Sequence, residues 1–178
     1  MRSAGFTLIE LLVVISIIGI LSVMGYANYK DFAANQVGVK AVRELQTYLR
    51  LAQSNATTST VCNGQGAISW SLKFVDSSKI ELHCSKQIEP TDNKISTLIL
   101  ENATLLITGD NICPAGGIGF PVTLTYLTGV GTQSLTSSDI NVIQTCKDSP
   151  TFIFTITNLK NGKTQIFKIT KGGAIDVR

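Results

Sequence analysis

Polar and apolar positions divide this chain into three stretches with different periods. From Leu11 to Ala27 there is no charged residue, and Leu, Ile and Val dominate. A helix over 6–25 would be about 30 Å long at ~1.5 Å per residue, one hydrocarbon thickness. The run is longer than the apolar core of a secretory signal, and no small-residue cleavage site follows it. "GYANYKDF" reads as an interfacial zone, with Tyr26 and Tyr29 at headgroup level and Lys30 and Asp31 in water.

The second stretch keeps a helical period but gains a polar side. In "VGVKAVRELQTYLRLAQSNA", the residues Val42, Leu45, Leu49, Ala52 and Ala56 recur at alternating steps of three and four. They form one apolar stripe, while Arg43, Glu44, Gln46, Thr47 and Arg50 fall outside it. No proline occurs before Pro90. The pattern therefore predicts one helix from about Phe6 to about Asn55, roughly 75 Å long. Gly19, Gly25 and Gly38 are its soft points.

After Thr57 the period falls to two. "AISWSLKFV" and "KIELHC" around "DSSK" predict a hairpin, and "ISTLIL" and "TLLIT" around "ENA" a second. "VTLTYLT" is a strand. In "TFIFTIT" and "TQIFKIT", Phe152, Phe154 and Ile156 share one face, and Asn161-Gly162 supplies the turn. "GGAIDVR" adds a short last strand, and the segments near 85–94, 109–121 and 129–139 read as loops. The fold class is α+β: a long N-terminal helix, apolar and then amphipathic, packed on a small antiparallel β-sheet that covers its stripe.

Composition and charge narrow the setting. Of 178 residues, 44% are hydrophobic and 15% charged. Ser, Thr, Asn and Gly are abundant beyond residue 52, which suits an extracytoplasmic β-rich domain. The only charged side chain before the apolar run is Arg2, so the positive-inside bias places the N-terminus in the cytoplasm and everything after Lys30 outside. A formal net charge of +3 implies neither nucleic acid nor an anionic surface.

The four cysteines, Cys62, Cys84, Cys113 and Cys146, all lie beyond the apolar run. An exported domain makes two disulfides the default, with three possible pairings. The sequence-local closures Cys62–Cys84 and Cys113–Cys146 are preferred, each stabilising by roughly 2–4 kcal/mol. A zinc site at His83 and Cys84 is the weaker reading, because no C-x-x-C occurs.

Other signals carry less. "PAGGIGFP" lacks the flanking strand, helix and lysine of a phosphate loop. Asn55 and Asn102 head Asn-Ala-Thr sequons. Trp70 reads as sheet core. Lys160, Lys163, Lys168, Lys171 and Arg178 make the C-terminal region basic. They are a candidate DNA contact, against the better prior of a solvated hairpin face. One histidine and no paired acids supply no catalytic arrangement, so no enzyme activity, metal or cofactor is expected.

One segment is more specific. "G-FTLIELLVVISIIGIL", with Gly5 before Phe6, then Thr7-Leu8-Ile9-Glu10 and an apolar run, closely resembles the class III signal of type IV pilins and type II secretion pseudopilins. The stretch 41–62 and the β-rich remainder resemble, more loosely, the H-type minor pseudopilins and related minor pilins. The resemblance implies a pilin-like fold and no enzyme. It implies cleavage by an inner-membrane prepilin peptidase between Gly5 and Phe6, N-methylation of Phe6, and assembly of the helix into a filament with other pilin or pseudopilin subunits. Its layout is a leader at 1–5, a membrane and filament-core helix at 6–29, an amphipathic helix at 30–56 and a β-rich domain at 57–178. The alternative is an anchored adhesin or a DNA-binding minor pilin. One departure is Ala27, where many pilins carry a helix-bending proline.

Glu10 is the residue that needs explaining. An ionised acid inside a bilayer costs several kcal/mol even on generous scales, with values of ~2.5–3.5 at a helix centre. Cleavage at Gly5 would leave a cationic amine on Phe6, and Glu10 of one copy would pair with that amine on a neighbour. The plainer reading is an acid near the interface that snorkels to water.

Overall fold

The computed structural model describes residues 7–86, 93–109, 118–129, 133–137, 151–170 and 173–177. Within the helix, positions 23–28 and 31 are described by their backbone alone. One helix, α1 (Leu8–Thr57), runs unbroken for 50 residues, through all three glycines. Thr7 caps its start, its hydroxyl accepting the Glu10 N–H at 3.4 Å. The end is closed by Thr58 N–H donating to the Ser54 carbonyl at 2.9 Å and by Ser59 at φ 53°, the left-handed exit that stops a helix.

A two-stranded ribbon follows, β1 (Val61–Cys62) and β2 (Gln65–Gly66), turned by Asn63 and Gly64 at φ 46° and 78°. The remaining strands make two antiparallel sheets. The first takes β3 (Ser69–Phe74), β4 (Lys79–Ser85), β5 (Asn93–Ile99), β7 (Val122–Leu127) and β8 (Gln133–Ser137) in the order β5-β4-β3-β7-β8. The second takes β6 (Ala103–Gly109), β9 (Thr151–Asn158), β10 (Thr164–Thr170) and β11 (Ile175–Val177) in the order β11-β10-β9-β6.

The β3–β4 and β9–β10 hairpins form as the alternation predicts. The expected β5–β6 hairpin does not. Those strands are sequence neighbours in different sheets, with β5 on β4 and β6 on β9. The corner between them is held instead by the β3–β4 turn: Leu100 N–H donates to Ser78 O at 2.8 Å and Leu105 N–H to Ser77 O at 2.7 Å. Asn102 at φ 55° completes the change of direction. The single sheet expected is thus two, and β8 occupies part of the segment read as loop.

The core lies between the two sheets and α1. Val42, Leu45, Leu49, Ala52 and Ala56 are all buried, as the stripe predicts. Phe74 from one sheet meets Phe154 of the other at 5.7 Å, and Phe154 stacks on Phe167 at 4.9 Å. Trp70 is also core. Gly173 is required by its setting: φ is 82°, and an added Cβ would collide with the Gln53 amide of the helix.

Candidate functional site

The candidate site is the start of the helix. Gly5 and Phe6 lie outside the described residues. Glu10 sits in the first helical turn, exposed. Besides accepting the Glu10 N–H, the Thr7 hydroxyl donates to Glu10 Oε2 at 3.5 Å, so the N-cap side chain contacts both the backbone and the carboxylate of Glu10. The T-x-x-E spacing before an apolar run is the sequence signal for it, and the reading above passed over that signal.

From Leu8 to Leu21 every large aliphatic side chain is 48–81% exposed. The head therefore covers no face of this half. Its two serines turn inward on the helix: Ser16 Oγ donates to Leu12 O at 2.8 Å and Ser22 Oγ to Ile18 O at 2.7 Å. Hydroxyls satisfied in this way suit surroundings that offer no partners. Among the described residues no helix is long and apolar enough to cross a membrane. The span expected over 6–29 includes positions that lie outside them.

The head holds the remaining candidates. Cys62 and Cys84 form a disulfide with Cα atoms 5.9 Å apart, tying the first strand after the helix to β4. Cys113 and Cys146 lie outside the described residues. Cys84 is thereby committed, and strand alternation puts His83 on the opposite face, so the two do not share a zinc site. His83 Nε2 instead lies 3.3 Å from Glu81 Oε2, and Glu81 pairs with Lys79 at 3.1 Å and Lys94 at 3.5 Å. The Lys79 contact is the main cause that holds the Glu81 carboxyl below its ordinary range. Asp76 is lowered too, chiefly by the Ser78 N–H it accepts at 2.7 Å. Burial pushes the Tyr126 phenol up.

The described lysines of the candidate patch, Lys160, Lys163 and Lys168, do not form one tract. Lys160 and Lys163 sit in the β9–β10 loop, and Lys168 lies on β10 in register with Asp176. Five residue steps, roughly 17 Å of extended chain, separate Lys163 from Lys168. Lys160 lines a groove of about 190 Å³ with Lys40, Glu44 and Glu101, and Lys40 bridges those acids at 3.7 and 3.6 Å. Lys171 and Arg178 lie outside the described residues.

Comparison with known proteins gives the same direction as the residues. Residues 1–26 match the model of the prokaryotic N-terminal methylation motif. Two fimbrial proteins of Pseudomonas aeruginosa are 33% and 32% identical to the chain over 104 residues, 54% of this chain and 64% of theirs. The chain thus spans just under two thirds of the length of the curated relatives it matches. Among solved structures, the minor pseudopilin EpsH from the Type 2 Secretion System of Vibrio cholerae is similar at TM-score 0.44 and 13% identity, over 79% of this chain and 94% of that one. The N-terminal residues that carry the resemblance fall within the matched motif, and the fimbrial proteins are similar over 104 residues.

Proposed function

We propose that this chain, which matches the prokaryotic N-terminal methylation motif over residues 1–26, is a structural subunit of the pilin and pseudopilin kind, not an enzyme. It would assemble into a type II secretion pseudopilus or a type IV pilus as a minor subunit. The observation that carries the reading is the stretch Leu8–Leu21 of α1: apolar side chains exposed on every face, with a single carboxylate, Glu10, in the first turn.

Residues 1–5 are the leader in this reading. A prepilin peptidase hydrolyses the Gly5–Phe6 bond, leaving a carboxylate on Gly5 and an ammonium group on Phe6, which is then methylated and stays cationic. Before assembly the helix at 6–29 spans the inner membrane once, N-terminus inside, with 30–56 and the β-rich 57–178 outside. Within a bundle of parallel, staggered helices, Glu10 of one copy meets the Phe6 amine of the next. Two charges that are each unfavourable in a low-dielectric core then offset one another, and one axial register is favoured over its neighbours. Thr7 holds the carboxylate at the helix start until that partner arrives.

Glu10→Ala tests this reading. Membrane insertion and cleavage, followed by mass spectrometry of the N-terminus, should be unchanged. Recovery of the variant in sheared filaments should fall roughly tenfold or more, the effect of losing one partner of a buried pair. Normal incorporation would leave only an acid that snorkels. The rival reading, an anchored adhesin or DNA receptor, has less behind it, because the described lysines are dispersed and partly matched by acids.

A further inference from the structure

Where the head begins along the helix, a buried amide joins the two. Asn158, the last residue of β9, is 1% exposed, yet it is an amide. Its Nδ2 donates to the main-chain carbonyl of Ala34 in α1, and its Oδ1 accepts the Lys160 N–H at 2.9 Å. Its own N–H donates to Lys163 O at 2.9 Å, and its carbonyl accepts the Gly162 N–H at 2.8 Å. Beside it, Asn161 Nδ2 donates to Asn35 Oδ1 at 2.9 Å while Asn161 Oδ1 accepts the Lys163 N–H at 3.0 Å. Leu159 N–H reaches Asn102 O at 2.9 Å, so the loop is anchored to the β5–β6 corner as well.

Three features mark this as more than a buried polar residue that happens to be satisfied. Both contacts reach consecutive helix residues, Ala34 and Asn35, from loop residues more than 120 positions away in sequence. Gly38, one turn on, is the first buried residue among the described helix positions, and a Cβ there would stand 3.7 Å from Asn158 Cβ. Helix backbone and Asn158 therefore lie side by side at this turn, with room for no more than an ordinary van der Waals contact between them. Finally, below this point the described helix side chains are open and above it they are packed, so the contact lies on the boundary between stem and head.

We infer that the β9–β10 loop is a clasp fixing the angle at which the head is carried on its stem, with Asn158 as its positioning residue and Asn161 as an outer rung. A packed apolar stripe alone resists separation but tolerates rolling and sliding of the helix. A directional amide-to-carbonyl bond does not. Its use rests on the subunit reading: neighbours in a filament would meet heads held in one orientation.

The test reads amide hydrogen exchange by mass spectrometry on the full chain in detergent micelles. Asn158→Asp keeps the shape and the Oδ1 acceptor but sets an oxygen against the Ala34 carbonyl. At neutral pH, exchange over 34–41 should run roughly tenfold faster than in the parent chain, with β3, β4 and β7 unchanged. Acidification protonates the introduced carboxyl and supplies an O–H donor, so the ratio to the parent at the same pH should fall back toward one. Asn161→Ala, at an exposed position that leaves folding intact, should give about a twofold increase over the same segment. Parent rates over 34–41 in both variants would overturn the clasp. So would acceleration spread evenly over the strands with no recovery in acid, which would make Asn158 an ordinary core residue. If Asn158→Asp does not fold, Asn161→Ala decides alone. All of this is read on unassembled protein, so failure here leaves the subunit reading standing, and normal incorporation of Glu10→Ala leaves the clasp standing.

Discussion

Between Leu8 and Leu21 the helix shows its leucines, isoleucines and valines on every side, 48–81% exposed, whereas between Ala41 and Ala56 the same helix buries one stripe to 4% or less. Both halves are continuous α-helix with similar apolar residues, so propensity does not separate them. What differs is where the packing comes from. The second half has two sheets to lie against and is stabilised within the monomer. From Leu8 to Leu21 the described head residues leave the side chains uncovered, so only surroundings outside the folded head would bury them. One element thus belongs to two structures, the folded head and whatever surrounds the stem.

The largest effect that sharpens this contrast comes from the same substitution in each half. Leu49→Ala removes a fully buried side chain from between the sheets and should lower the stability of the head by about 2–5 kcal/mol. Leu12→Ala, at a side chain 52% exposed, should move it by less than ~0.5 kcal/mol. Denaturant unfolding of the full chain in detergent, followed by fluorescence of Trp70, the single tryptophan and a core residue of β3, gives both numbers. Equal losses would mean that the stem is part of the head's cooperative unit.

A somewhat smaller effect is expected at the disulfide. Cys62 lies five residues beyond the end of α1 and is joined to Cys84 across a separation of 22 residues. Replacing both by Ser should lower head stability by about 2–4 kcal/mol in the same unfolding measurement, chiefly by freeing the unfolded chain. Proteolytic sensitivity of the stem should not change, because the tie lies wholly in the head. A change in the stem would show that the head's closure reaches through the helix.

Much of this architecture was legible because it is written locally. The stripe of Val42 to Ala56 and the β3–β4 and β9–β10 hairpins follow from spacings of a few residues to a few tens, while Cys62–Cys84 was one preferred pairing among three that spacing alone left open. The partition into two sheets was not, because Ile95–Leu100 and Thr104–Thr108 carry the same alternation whichever neighbour they pair with. The choice is made by Ser77 and Ser78 and by β9, which lies far along the chain. The β8 segment "QSLTS" is too polar to announce a strand. At the helix start, the T-x-x-E spacing was present in the letters, but Glu10 was weighed only as a pairing or snorkelling acid and not as a partner of the Thr7 cap. The Asn158 contact could not be found this way, because it spans 124 positions and no local pattern encodes it.

The smallest effect separates the halves by acid. Between Leu11 and Ala27 the stem has no carboxylate and no histidine, whereas the head carries Asp76 and Glu81 with carboxyls held below their ordinary range. A lowered folded pKa favours the native state whenever the unfolded group would be protonated more readily. That contribution is complete above the unfolded pKa, about 4, and is lost as pH falls through the folded value. Head stability should therefore be flat near neutrality and decline from about pH 4 downward, while helix content of the stem in detergent holds over the same range. Asp76 is exposed and accepts three turn hydrogen bonds, from Ser78 N, Ser78 Oγ and Lys79 N at 2.7–2.8 Å. Asp76→Asn keeps an acceptor but removes the charge, so it should cost about 1 kcal/mol or less at neutral pH and flatten part of the acid decline. An unchanged acid limb in this variant would place the head's whole acid sensitivity on Glu81 and its lysines, and a decline shared by the stem would break the division between the halves.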